Sequence, residues 1–129
     1  MNQLIIDLEI TTDVTGPLAT LAEFLAADQK PSAVLIDSDE DIESIKEFAA
    51  TLSVIALNFP SFLDGRAYSS ANLLRRGYGY KGELRAVGDI RIDQLEQMAR
   101  CGFNAFQLAD GQNIEQGLER LQGFSFSYQ

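Results

Sequence analysis

The chain has 129 residues, 46% hydrophobic and 22% charged, which is enough for one globular domain with a sizeable core. Ten basic and nineteen acidic side chains give a net charge of −9, which opposes approach to nucleic acid or to an anionic membrane surface. Histidine is absent and Cys101 is the single cysteine, so imidazole ligands, Ser-His and Cys-His nucleophiles and intramolecular disulfides are all excluded.

Residues 3–10 alternate, with Leu4, Ile6, Leu8 and Ile10 on one side, and predict a first strand. After Gly16-Pro17, the alanine- and leucine-rich residues 18–27 predict a helix with proline near its first turn. Residues 33–36 form a short apolar strand. Asp39 then caps a helix whose apolar positions Ile42, Ile45, Phe48, Ala49 and Leu52 follow the helical period. Residues 54–57 make the next strand and lead into a loop over residues 58–65. A helix over residues 67–76 is broken by Gly77, Gly79 and Gly82, and residues 84–87 form a strand closed by Gly88-Asp89. Residues 92–100 form a helix stopped by Gly102, residues 105–108 a last strand, and residues 114–121 a last helix. The tail Phe124-Ser125-Phe126-Ser127-Tyr128 has the alternation of an edge strand.

This alternation predicts an α/β fold for the single domain 1–129, with about five βα units and a mainly parallel sheet. Two architectures fit it: an open, doubly wound sheet of the flavodoxin-like kind, or a partial (β/α) barrel. In both, ligands meet the carboxyl ends of the strands. Asp37 and Ser38 arrive there, followed by residues 58–66, Gly88 and Asp89, and Asp110 and Gly111. No apolar run is long enough to span a bilayer, and Met1-Asn2-Gln3 lacks the basic start of a signal peptide. A cytoplasmic protein is expected, with neither membrane nor nucleic acid as partner.

The charge is unevenly spread. Residues 62–101 carry seven basic and five acidic side chains, net +2, against three basic and fourteen acidic elsewhere, net −11. Gathering arginines among glycines in an acidic chain points to a place kept for a small oxyanion or a partner's carboxylates. Arg66 opposes the helix dipole at its N-terminal position, and an anion held by Arg66 and the Ser69 hydroxyl would relieve that conflict. Arg75 lies in the same basic stretch. Arg85, inside a predicted strand, requires an acidic partner or an anion. Tyr68 and Tyr80 supply the aromatic contacts favoured at interface centres. Asp64 and Asp89 are the carboxylates that could act as acid–base groups at strand ends.

Other motifs weigh less. Gly77-Tyr78-Gly79-Tyr80-Lys81-Gly82 fits G-x-G-x-x-G, but a helix precedes it and a strand follows, the reverse of a dinucleotide fingerprint. It reads as a tight connection. An all-oxygen site from Asp37, Asp64, Asp89 and Asp110 is permitted by spacing but not indicated by it, so no metal and no cofactor are expected. Cys101 reads as an inert packing thiol.

Residues 58–69, with Asn58-Phe59-Pro60 and Asp64-Gly65-Arg66-Ala67-Tyr68-Ser69, carry a resemblance. So do Leu74-Arg75, the run from Gly79 to Asp89, Asp93-Gln94-Leu95, Arg100-Cys101-Gly102-Phe103 and Ser127-Tyr128-Gln129. Over about residues 33 to 129 the chain resembles a bacterial family known as domain of unknown function 934. The resemblance implies a cytoplasmic protein encoded beside assimilatory sulfite reductase. Members are often labelled probable oxidoreductases, although no dithiol, cluster-ligating cysteines or dinucleotide motif is present here. The reading that follows is an accessory protein of sulfate and sulfite reduction. It would bind a small oxyanion, or sulfite reductase and its companion enzymes, through Arg66, Ser69, Arg75, Arg85, Tyr68 and Tyr80. Two alternatives stand beside it: a small α/β enzyme acting on an anionic metabolite, and a structural subunit whose basic segment is a homodimer interface.

Overall fold

A computed structural model describes residues 3–13, 15–61 and 65–123. Its strands are β1 (Gln3–Ile6), β2 (Glu9–Thr12), β3 (Ala19–Thr20), β4 (Ala33–Ile36), β5 (Val54–Phe59), β6 (Glu83–Gly88) and β7 (Ala105–Phe106). Its α-helices are α1 (Leu21–Ala26), α2 (Arg66–Asn72), α3 (Leu95–Arg100) and α4 (Ile114–Gln122). A 3-10 helix spans Ile42–Phe48, another opens α3 at Ile92–Gln94, and α2 continues into a π-helical turn at Leu73–Gly77. No helix among the described residues is long and apolar enough to cross a membrane.

The seven strands of the described residues join one mixed sheet in the order β2-β1-β7-β6-β5-β4-β3. Strands β3 to β7 are parallel and adjacent in chain order, while β1 pairs antiparallel with both β2 and β7. The α/β expectation with a mainly parallel sheet therefore stands. A doubly wound sheet reverses its strand order, and this one does not. Five successive βα units wound in one sense, by right-handed crossovers, place their helices on one face. That is the winding of a (β/α) barrel left open.

Alternation sorts the strand residues between two faces. Ile55, Leu57, Phe59, Leu84, Ala86 and Phe106 meet Phe24, Ala71, Leu74, Met98 and Leu121 from the helices in the principal core. Phe59 and Phe103 are fully buried, with ring centroids 5.7 Å apart. Burying one such side chain stabilises by about 1.5–3 kcal/mol. The opposite face carries Ala33, Val54, Ala56, Val87 and Ala105, all small and buried, with Arg85 at its centre.

The N-terminal third departs from the predicted elements. Residues 3–10 are not one strand but the start of a hairpin, turned at Asp7 and Leu8, both with positive φ. The helix predicted over residues 18–27 begins only at Leu21, because Ala19–Thr20 pairs with β4. Thr20 caps it through a reciprocal box: its Oγ1 accepts from the Glu23 N–H at 3.1 Å, and the Glu23 carboxylate accepts from the Thr20 N–H at 2.9 Å.

Residues 13–18 connect opposite edges of the sheet. Six interstrand spacings separate β2 from β3, about 29 Å if the sheet were flat. The seven virtual bonds from Thr12 to Ala19 reach at most about 25 Å. The sheet must therefore curl so that its two edges approach, and Asp13 and Thr15 meet Arg85 on the face between them.

Candidate functional site

The carboxyl rim of the parallel strands is built by β4, β5 and β6. Asn58, near the end of β5, donates from Nδ2 to Asp37 Oδ1 at 3.0 Å, and the Ser38 N–H donates to the same oxygen at 2.9 Å. Arg66, exposed at the start of α2, donates from Nη2 to Ser38 Oγ at 3.1 Å. Gly88 closes β6 with φ +99; a Cβ there would overlap Asn58 Oδ1 and the Phe59 carbonyl. That glycine lets two strand ends converge where L side chains would collide. Beyond it the Asp89 N–H donates to the Phe59 carbonyl at 2.8 Å, and Asp89 Oδ1 lies 3.2 Å from Arg91 Nε. Further along the rim, Gln3, Gln107, Asp110 and Gly111 border an open polar hollow of about 300 Å³.

The residues expected to share one site fall in three places. Arg66, Tyr68 and Ser69 lie on α2 at the carboxyl rim, with Asp89 on the loop after β6. Asp64 lies outside the described residues.

Arg85 occupies the middle of the curled face and is 1% exposed. Its register neighbours across β5 and β7 are Ala56 and Ala105, whose small side chains leave room for a guanidinium. Nε donates to Glu83 Oε2 at 2.6 Å, Nη2 to Thr15 Oγ1 at 2.9 Å, and Nη1 lies 3.5 Å from Asp13 Oδ2. The requirement for an acidic partner is met by Glu83 and Asp13.

Arg75 and Tyr80 are at the opposite, amino end of the strands. The Arg75 guanidinium donates to the carbonyls of Gly102, Tyr80 and Gly82 at 2.8, 3.0 and 2.9 Å, and to Asn104 Oδ1 at 3.2 Å. It also stacks over the Tyr80 ring, 5.4 Å from its centroid. Tyr80 is buried, and its hydroxyl donates to the Glu83 carbonyl at 2.9 Å. Gly102 has φ +113, and a Cβ there would overlap Arg75 Cγ, so the guanidinium lies directly against the backbone. Asn104 completes this framework by accepting from the Leu84 N–H at 2.8 Å. Sequence reasoning missed Asn104; a polar residue wedged between Phe103 and Ala105 was the available signal.

Burial dominates the shifted pKa values. It pushes the Tyr80 hydroxyl well above the usual tyrosine range, and it raises Tyr68 with a further contribution from Cys101. The Tyr68 hydroxyl is buried with no hydrogen-bond partner among the described residues. Burial also raises the Cys101 thiol, against the lowering effects of an Asn72 hydrogen bond and Arg76.

Each of these groups is neutral when protonated and holds its proton more tightly folded than unfolded. Their contribution is complete below the unfolded pKa values of roughly 9–10 and is lost as pH rises through the folded ones. Stability followed by urea unfolding should therefore fall above about pH 10. Tyr80→Phe should flatten that fall while lowering stability near neutrality by about 1 kcal/mol. An unchanged slope in that variant would remove Tyr80 as the cause.

Among the described residues, no three carboxylate or thiol groups gather as a metal site requires. Residues 33–129 match the model of a family described as a bacterial protein of unknown function, DUF934. The match opens at Ala33, the first residue of β4. No curated protein and no solved structure matches the chain.

Proposed function

We propose, given that the chain belongs to DUF934, a family of bacterial proteins of unknown function, that it is an accessory protein of assimilatory sulfite reduction. It engages a small oxyanion, or the carboxylates of the sulfite reductase machinery, at the carboxyl rim. The observation that carries this reading is the exposed place of Arg66 at the carboxyl rim, beside the Ser38 hydroxyl and the Asn58 amide. Arg75 and Arg85 spend their guanidinium groups on the internal framework. Arg66 stands on the exposed edge near Asp37 and Asn58, and its Nη2 donates to Ser38 Oγ. An exposed guanidinium beside hydroxyl and amide groups suits recognition of an oxyanion or carboxylate. The sulfur context comes from the sequence resemblance, which implies the neighbourhood of sulfite reductase.

The test uses two probes on the full chain: sulfite, by titration calorimetry, and purified assimilatory sulfite reductase, by surface-immobilised binding. Arg66→Ala should weaken the responding probe about tenfold or more, roughly 1.4 kcal/mol, without moving the urea midpoint. Absence of binding to either probe, or equal affinity in the variant, would overturn the proposal.

A further inference from the structure

We infer that the rim around Ser38 selects singly charged, proton-bearing oxyanions over doubly charged ones. The inference rests on the rim reading and names the ligand class within it.

Arg66 and Asp37 both meet Ser38. The Ser38 Oγ accepts from Arg66 Nη2 at 3.1 Å, so its own hydroxyl proton is left to be donated outward. The Ser38 N–H donates to Asp37 Oδ1 at 2.9 Å, and Asn58 Nδ2 donates to the same oxygen at 3.0 Å. The second Asp37 oxygen, Oδ2, makes no hydrogen bond among the described residues, and Asp37 is exposed. An oxyanion seated on Arg66 and Ser38 therefore has a carboxylate as its neighbour. That carboxylate can accept a proton that the ligand carries, and it repels any second negative charge.

The surrounding charges decide between the attraction of Arg66 and this repulsion. Asp37, Asp39, Glu40 and Asp41 lie together on the segment between β4 and the 3-10 helix, and Arg66 reaches that segment from α2. On the far side of Asn58, Asp89 and Arg91 face each other at 3.2 Å and cancel. One cation against four carboxylates leaves the segment negative, so each further charge on a ligand is opposed. The expected discrimination is about fivefold, the equivalent of roughly 1 kcal/mol for unit charges about 4 Å apart in water. Histidine, the side chain that ordinarily changes charge between about pH 5 and 8, is absent from the chain. A pH dependence of anion binding in that window therefore reports the protonation of the ligand.

The test is calorimetric titration of the full chain with sulfite and with sulfate, at about pH 6 and about pH 8. Sulfite passes from singly to doubly charged across this range, whereas sulfate stays doubly charged and controls for the α-amino group. Sulfite should bind about fivefold more tightly at the lower pH, and sulfate weakly and equally at both. Asp37→Asn keeps the oxygen that Asn58 and the Ser38 N–H share but removes its charge. It should bring the two sulfite affinities within about twofold of each other. Should that variant fail to fold, Asp39→Asn should move the ratio in the same direction. The Asp39 side chain makes no hydrogen bond among the described residues, and it is exposed. A ratio that neither variant lowers overturns the inference. Arg66-dependent sulfite binding of equal strength at both pH values overturns it too, and leaves the rim reading intact. So does binding confined to sulfite reductase, which gives the rim to a partner's carboxylates. Failure of both sulfite and the reductase to bind removes the rim reading and this inference together.

Discussion

Arg85→Ala is expected to remove about 3–5 kcal/mol of folding stability, most of what a domain of this size holds in reserve. The guanidinium is 1% exposed, and its two carboxylate partners, Glu83 and Asp13, are each 18% exposed. Deleting the cation leaves both carboxylates facing each other across a vacated space, with Thr15 Oγ1 deprived of its donor. The cost comes from what remains unpaired rather than from the value of the ion pair itself. A triple variant, Arg85→Met with Glu83→Gln and Asp13→Asn, removes the charges together and keeps the volume filled. It should recover at least half of the loss, read as a urea midpoint by circular dichroism. If the alanine and triple variants unfold at the same concentration, uncompensated charge is not the source of the defect.

Arg75→Ala should cost about 2–4 kcal/mol, since three backbone carbonyls and Asn104 Oδ1 lose a charged donor at once. The three carbonyl bonds are 2.8–3.0 Å long, and they tie the π-helical turn after α2 to the entries of β6 and β7. Lysine offers three donors from a single point and cannot reach across this fork, so Arg75→Lys should restore less than half of the loss. The location of the damage is as informative as its size. Amide exchange should accelerate at Leu84, whose N–H donates to Asn104, far more than within α1. Uniform acceleration throughout the molecule would show that Arg75 contributes only to global stability.

Strands β4 and β5 were legible because they are buried on both faces and open as continuous apolar runs, and β6 because Leu84, Ala86 and Val87 keep it apolar around Arg85 up to the Gly88 turn. Their parallel pairing followed from the helical segments between them. The hairpin was hidden because Leu8, an apolar residue with φ +68, carries no turn signature and keeps the apolar alternation unbroken from Leu4 to Ile10. Two-residue β3 was too short for any periodicity, although Thr20 and Glu23 spelled out the cap that follows it. At the site level, sequence spacing identified Asp37, Ser38, Asn58 and Arg66 as neighbours at strand ends, since βα units deliver consecutive loops to one rim. It could not separate Arg75 and Arg85 from them. Which face or which end of a strand a guanidinium takes is decided by partners such as Asp13 and Asn104, which are distant in the chain.

The pairing of β1 with β7 sets an order of events during synthesis. Strands β4, β5 and β6 can associate as they emerge, each with its immediate predecessor. The hairpin must wait for residues nearly a hundred positions later, where the Asp7 N–H meets the Asn104 carbonyl at 3.0 Å. At ribosomal rates that wait is roughly 5–20 s. Throughout it Leu4 and Ile5, both fully enclosed in the finished molecule, stay open to chaperones and to neighbouring nascent chains.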